Sequence, residues 1–203
     1  MDLSKKDIVC KYNEHAKLYD FLEGKAEIIL KKYRKEVISH VHGKVLELAI
    51  GTGINLKYYS PDCEIMGVDL SKEMIKIAKN KSDILGINAK FKIADSEKLP
   101  FRRNTFDTVV ETFSLCTYPN PVKALREMKR VCKKNGEIIL LDHGASDNRL
   151  VRLFQNWAKK RHYERVGCNL LRNHFDLVRK AGLKVVEKKR GFFGIIYLIR
   201  ARA

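Results

Sequence analysis

Residues 45–53 read Val-Leu-Glu-Leu-Ala-Ile-Gly-Thr-Gly, an apolar run that ends in two glycines, and few folds accommodate it. Val45, Leu46 and Leu48 suit a parallel strand buried on both faces, while Gly51 and Gly53 permit a tight turn that brings backbone close to a ligand. Ile54 to Tyr59 would then open a short helix whose N-terminal amides point at that ligand.

The rest of the chain can be placed around this stretch. Apolar residues at helical spacing, such as Ile29, Tyr33, Val37 and Val41, predict two helices over 5–42 with a break near Gly24. Glu64 to Leu70 reads as a second strand ending in Asp69, and Ser71 caps a helix to about Lys81. Ala89 to Ala94 is a third strand ending at Asp95, and Thr105 to Thr112 a fourth. A helix over 122–134, stopped by Asn135-Gly136, leads to a fifth strand, Glu137 to Leu141, followed by Asp142-His143. Two further helices, 149–165 and 175–181, precede two strands, 183–190 and 195–203. The link between those strands is so short that they must be antiparallel. Alternating strands and helices imply an α/β Rossmann-like fold: a mostly parallel seven-stranded sheet, a C-terminal antiparallel hairpin, and helices on both faces. With 203 residues the chain reads as one domain. Its parts would be a helical cover (1–42), a cofactor-binding core (43–143), a helical lid insert (144–182) and the terminal hairpin (183–203).

In such a sheet, ligands bind at the carboxyl ends of the strands. There the sequence collects Glu47, Ala49, Gly51, Thr52 and Gly53 from the first strand and its loop, Asp69 and Leu70 from the second, Asp95 and Ser96 from the third, Thr112 from the fourth, and Asp142 and His143 from the fifth. A carboxylate ending the second strand is placed to accept hydrogen bonds from ribose hydroxyls, and Asp95 could accept from an adenine amino group. Leu56 stands where a dinucleotide fingerprint needs its third glycine, and the Lys-Ser/Thr ending of a phosphate loop is missing. A nucleoside without phosphates fits better, and S-adenosylmethionine is the common one.

These residues resemble the successive motifs of class I S-adenosylmethionine-dependent methyltransferases: Glu47 to Gly53, Gly67-Val68-Asp69, Ala94 to Phe101, Phe106-Asp107 and Asn135-Gly136. Within that family, the Asp-Ser-Glu-Lys-Leu-Pro-Phe stretch resembles the ubiquinone/menaquinone-biosynthesis branch, and Tyr19-Asp20 is similar to the pair that often ends its first helix. Asn55 to Tyr59 and Gly167-Cys168-Asn169-Leu170 also resemble the animal methyltransferase-like thiol methyltransferases. The resemblance implies methyl transfer, with Tyr19 joining the cofactor-binding residues. Ala49 replaces the first glycine of many members, although the quinone branch accepts alanine there; a slightly tighter loop with retained binding is expected.

Methyl transfer is an in-line displacement that needs positioning and exclusion of water more than a catalytic side chain. If the acceptor requires a base, His143 is the first candidate, unless it merely caps the strand end; His174 and Glu111 are weaker ones. Cys116 and Cys168 read as pocket lining. Five scattered cysteines without a Cys-x-x-Cys pair argue against a disulfide framework or a metal site. Tyr12 and Tyr19 either cover the ligand or are ordinary half-buried tyrosines.

The excess of 41 basic over 24 acidic residues, a formal charge of +17, attracts nucleic acid, anionic lipid or acidic substrate without choosing between them. The 149–165 helix sharpens that question: Leu150, Leu153, Phe154, Trp157 and Ala158 form an apolar stripe beside Arg149, Arg152, Lys159, Lys160, Arg161 and Arg165. Such a helix either lies on an anionic membrane surface and admits a small-molecule or lipid-like acceptor, or packs its stripe on the domain as a lid. A nucleic-acid-binding protein or RNA methyltransferase using the basic surface is the alternative. It lacks both an appended RNA-binding module and an Asn/Asp-Pro-Pro-Tyr motif, since Glu111-Thr112-Phe113-Ser114 stands there. No apolar run is long enough to span a membrane and the charged N-terminus lacks a signal segment, so a cytoplasmic protein is expected, with peripheral membrane contact an open option.

Overall fold

The computed structural model describes residues 3–203, with the side chains of residues 14–26 outside the description. Seven strands form one sheet: β1 (Lys44–Leu48), β2 (Glu64–Asp69), β3 (Ala89–Ile93), β4 (Phe106–Thr112), β5 (Cys132–His143), β6 (Lys184–Gly191) and β7 (Ile196–Arg202). Their order is β3-β2-β1-β4-β5-β7-β6. The first five pair in parallel, and β7 runs antiparallel to both β5 and β6. The expected mixed sheet with its terminal hairpin is therefore present. The strand order reverses at β1, so β1 and β4 splay their connecting loops apart and leave a crevice at their carboxyl ends.

Residues alternate between the faces as the pleat requires. Leu46, Leu48, Val109, Ile138 and Leu140 pack under α3 (Pro121–Val131) and α5 (His174–Lys180). Val45, Val110, Ile139 and Leu141 pack on the opposite face with Tyr33, Val37 and Ile38 of α1 (Lys5–Ile38). The second helix, α2 (Lys72–Leu85), starts at Ser71, whose side chain accepts from the Met74 amide, and stops at the left-handed Gly86.

Four expectations need correction. α1 is one helix rather than two, because a capping box at Ser4 holds one end and the buried Tyr33, Val37 and Ile38 hold the other. Together they outweigh the cost of about 1 kcal/mol for Gly24 in its interior. After the glycine loop only a 3-10 turn forms, Leu56–Tyr58. α3 ends at Val131, not Lys134, because Cys132 is already extended and pairs with Phe106, and a bulge absorbs the following residues. Finally, α4 (Arg149–Val166) does not pack its apolar stripe on the domain. Leu150 and Trp157 are each 78% exposed, and Leu153 and Phe154 are exposed beside them. Polar contacts dock this helix instead: Gln155 accepts from the Ser146 amide at 2.9 Å and donates to the Gly144 carbonyl at 2.8 Å, and Arg152 Nε donates to the Ser146 carbonyl at 2.8 Å. Among the described residues, no helix is long and apolar enough to cross a membrane.

Candidate active site

The crevice holds a cavity of about 940 Å³ including its open mouth. One wall is the glycine loop, which turns through three left-handed residues, Ala49 (φ 45°), Gly51 (φ 57°) and Gly53 (φ 75°). Asp69 fastens this loop to the start of α2, accepting from the Gly51 amide at 3.0 Å and the Ser71 amide at 2.8 Å. Its burial pushes the carboxyl above its ordinary pKa, against the pull of those amides. At Gly53 an added Cβ would lie 2.7 Å from Leu56 Cδ1, so this glycine serves the packing of loop on helix.

The floor is a buried polar cluster. Glu47 accepts from Asn55 Nδ2 at 2.6 Å and from the Tyr59 hydroxyl at 2.8 Å. Asn55 Nδ2 also lies 3.0 Å from Thr112 Oγ1, and Arg34 donates to Asn55 Oδ1 at 2.9 Å and Thr112 Oγ1 at 3.2 Å. Burial carries the Glu47 carboxyl up to about 7 even though both hydrogen bonds and the Arg34 charge oppose it.

The far wall carries Asp95, Ser96 and Glu97. Lys5, in the first turn of α1, bridges Asp95 at 2.7 Å and Glu97 at 2.6 Å. Together with Ile8, Val9 and Tyr12 it brings one face of α1 across the cavity. Tyr118 donates to Ser96 Oγ at 3.1 Å and stands 2.9 Å from Ser114 Oγ, which lies 2.7 Å from Glu111 Oε1. Burial, and then the nearby Asp142 carboxylate, raise Glu111 to about 8.

Of the residues expected from sequence, Glu47, Ala49, Gly51, Asp69, Leu70, Asp95, Ser96 and Thr112 line this cavity. Thr52 is buried behind the loop and Gly53 supports it from outside the lining. Tyr19 lies outside the described side chains, whereas Tyr12 is part of the wall. His143 does not line the cavity: its ring stacks on Phe113 with centroids 6.3 Å apart, and Nε2 lies 3.3 Å from Cys168 Sγ. His174 is buried with Nε2 2.8 Å from the His143 carbonyl, and burial pushes it down to about 4. Sequence reasoning missed Arg34, Asn55, Lys5 and Tyr118 as members of the wall. Asn55 alone had a local signal, standing in the turn after the glycines.

Beside the cavity, Cys116, His143 and Cys168 converge from three elements, their ligand-capable atoms all within 4.8 Å of one another. The Cys116 thiol and then the two neighbouring histidines hold the Cys168 thiol down to about 3 against its burial. Burial alone would lower His143, but the bond to Cys168 prevails and raises it to about 9.

Known proteins agree with this geometry. A family described as a methyltransferase domain matches residues 46–140. A phosphatidylethanolamine N-methyltransferase of Cereibacter sphaeroides is 35% identical over 70% of this chain and 70% of its own. The ubiquinone/menaquinone biosynthesis C-methyltransferase UbiE of Stutzerimonas stutzeri is 31% identical over 64% of this chain, which spans only 54% of that relative. The crystal structure of an S-adenosylmethionine-dependent methyltransferase from Aquifex aeolicus superposes with a TM-score of 0.62 at 20% identity, covering 84% of this chain and 87% of that one, and so shares the fold. The cofactor of this fold and domain is S-adenosylmethionine, and the donor set suits it. Carboxylates stand at the ends of β1, β2 and β3 along one cavity, and at Gly51 an added Cβ would find nothing closer than the Ala49 carbonyl at 3.9 Å, so the loop face is clear for a ligand. By its matched sequence and its cavity, the chain belongs to the class I S-adenosylmethionine-dependent methyltransferases.

Proposed function

We propose that the protein methylates the head group of a lipid-like acceptor drawn from an anionic membrane surface. One observation carries this reading: the apolar stripe of α4 is turned to solvent and flanked by the exposed Arg149, Arg152, Lys159, Lys160, Arg161 and Arg165. Phe192 and Phe193, in the turn between β6 and β7, are exposed as well, and the Phe193 carbonyl accepts from Ser146 Oγ just ahead of α4. Apolar side chains that enter the acyl boundary, ringed by cations that meet lipid phosphates, are the signature of an interfacial helix. A nucleic-acid surface has no use for Leu150, Phe154 and Trp157 at the centre of its most basic helix. The resemblance to a phosphatidylethanolamine methyltransferase supports the same acceptor class.

Bound S-adenosylmethionine supplies an electrophilic methyl group. The protein's part is to hold it and to keep water out. Asp69 would accept from the ribose hydroxyls, Asp95 and Ser96 would meet the adenine amino group, and Glu47 with Asn55 and Thr112 would face the methionine end. The first three turns of α1 close the cavity above them. Glu111, raised to about 8, keeps its proton at neutral pH, so no transfer is routed to it through Ser114 and Tyr118. His143, first candidate for a base, stands behind Phe113 with Nε2 engaged, so no transfer is routed through it.

The test is to incubate the protein with labelled cofactor and vesicles of phosphatidylethanolamine mixed with an anionic phospholipid. Label in the lipid fraction, lost in the Asp69→Ala variant, is expected. Label appearing only in water-soluble products when a cell extract replaces the vesicles would overturn the lipid acceptor and leave methyl transfer standing.

A further inference from the structure

Cys116, His143 and Cys168 lie outside the cavity lining, and the fold gives them no shared apolar role. Cys116 sits in the loop after β4, His143 ends β5, and Cys168 follows α4. These segments are tied together by backbone: the Asn169 amide donates to the Cys116 carbonyl at 3.0 Å. Asp142 accepts from the Cys116 amide at 3.0 Å and from the His143 amide at 2.6 Å, so a single carboxylate orients the backbone of two of the three. Arg172 secures the same loop through the Tyr118 carbonyl at 2.6 Å and the Leu115 carbonyl. His162, near the end of α4, neighbours Cys168 and helps hold its thiol down.

We propose that Cys116, Cys168 and His143 bind a thiophilic divalent cation of the zinc type, with His162 of the neighbouring α4 turning in to complete the set. Tetrahedral zinc with Zn–S near 2.3 Å and Zn–N near 2.0 Å sets ligand atoms about 3.5 Å apart. The 3.3 Å between His143 Nε2 and Cys168 Sγ matches that spacing, and the 4.8 Å bound on Cys116, His143 and Cys168 needs only a small inward rotation of one side chain. Two sulfurs and imidazole nitrogen favour zinc over magnesium or calcium, which take oxygen ligands. The fixed backbone around Asp142 is the outer support that metal ligands usually have. The arrangement also answers a mechanical need. Gln155 is the buried residue of α4, so this helix lacks an apolar anchor. A cation joining His162 and Cys168, at the end of α4, to the ends of β4 and β5 would pin the helix to the sheet while its stripe stays free for a membrane. No local Cys-x-x-Cys pattern announces the site because its ligands come from three segments far apart in the chain.

Cobalt(II) added to the reduced, metal-free protein tests this directly. The expected result is a thiolate-to-cobalt charge-transfer band with tetrahedral visible absorption, saturating at one cobalt per chain and abolished by excess zinc. Cys116→Ser and Cys168→Ser should each remove the band, His143→Gln and His162→Gln should weaken cobalt affinity by about tenfold or more, and Cys10→Ser should leave it unchanged. Because serine at a buried thiol can disturb folding, the two histidine variants, checked by thermal melting, keep the assignment testable. Absence of the band in the wild type, or a band that survives in Cys168→Ser, overturns the site. So does a native, unreduced protein with three free thiols and no cobalt band, which would indicate a Cys116–Cys168 disulfide.

Discussion

Ala49 is the residue at which sequence and structure meet most sharply. Its substitution for the glycine common in the family pointed to a tighter loop, and its φ of 45° shows the cost: a left-handed backbone that an L side chain adopts at roughly 1 kcal/mol or more. Ala49→Gly should therefore raise stability by about 0.5–1 kcal/mol even after the extra freedom of glycine in the unfolded chain is allowed for. Urea unfolding of both proteins checks this, and an unchanged midpoint would mean that the loop carries no strain at Ala49. Asp69 makes the opposite case. Its two amide bonds hold the glycine loop and α2 in register, and the residue lines the cavity. Losing a charged acceptor costs about 1.5–3 kcal/mol per bond, so Asp69→Ala should weaken S-adenosylmethionine binding by about 100-fold in calorimetry; near-normal affinity would remove Asp69 from the cofactor site. Both residues were legible in the sequence because a strand end followed by glycines, and a strand end closed by a carboxylate, are local signals. Arg34 and Lys5 were not legible. Each is one cation among many on a long helix, and only the tertiary fold carries them to Asn55 and to Asp95.

At the scale of elements, the strands other than β5, which starts five residues earlier than expected, were read with errors of a residue or two because their alternating or continuous apolar runs report burial directly. Helix ends were read less well. The Cys132 to Gly136 segment carries helix-compatible lysines, yet pairing with β4 draws it into the sheet, a non-local competition that no window of sequence contains. The 149–165 stripe had two readings for the same reason: periodicity shows that a helix has an apolar face without showing what covers it. The structure leaves that face open, and this gives α4 a separable role. Trp157→Ala should change stability by less than about 0.5 kcal/mol, since the side chain is 78% exposed. It should nevertheless cut sedimentation with anionic vesicles by about tenfold, the loss of one aromatic anchor from the acyl boundary. Lys159→Glu combined with Lys160→Glu should weaken binding to anionic vesicles and spare the small residual binding to zwitterionic ones. Equal sedimentation of all three proteins would show that α4 does not touch the bilayer.

The molecule as a whole places unusually many carboxylates away from water on the floor and rim of one crevice, and this makes its stability depend on pH in an uncommon direction. Glu47 is the clearest instance. In the unfolded chain it titrates at its ordinary value near 4.5; in the fold, burial raises it to about 7 while Asn55, Tyr59 and Arg34 only partly restore the charged form. Below pH 4.5 it is protonated in both states and folding bears no penalty from it. Between those values the unfolded chain releases the proton and the folded one keeps it, so the unfolded state binds fewer protons and stability falls as pH rises, until the full loss is reached above about pH 7. The interval corresponds to roughly 3 kcal/mol. Glu47→Gln, which stays neutral and keeps the shape, should flatten that part of the curve, and the difference in unfolding free energy between parent and variant, followed from pH 5 to pH 8, isolates Glu47 from every other titrating group. The parent should lose stability relative to the variant across that range; a difference independent of pH would mean that Glu47 is ionised in the fold throughout. Bound cofactor gives the same group a second readout. A ligand cation beside Glu47 favours the carboxylate, so S-adenosylmethionine affinity should strengthen as pH rises toward 7 in the parent protein, and this dependence should vanish in Glu47→Gln.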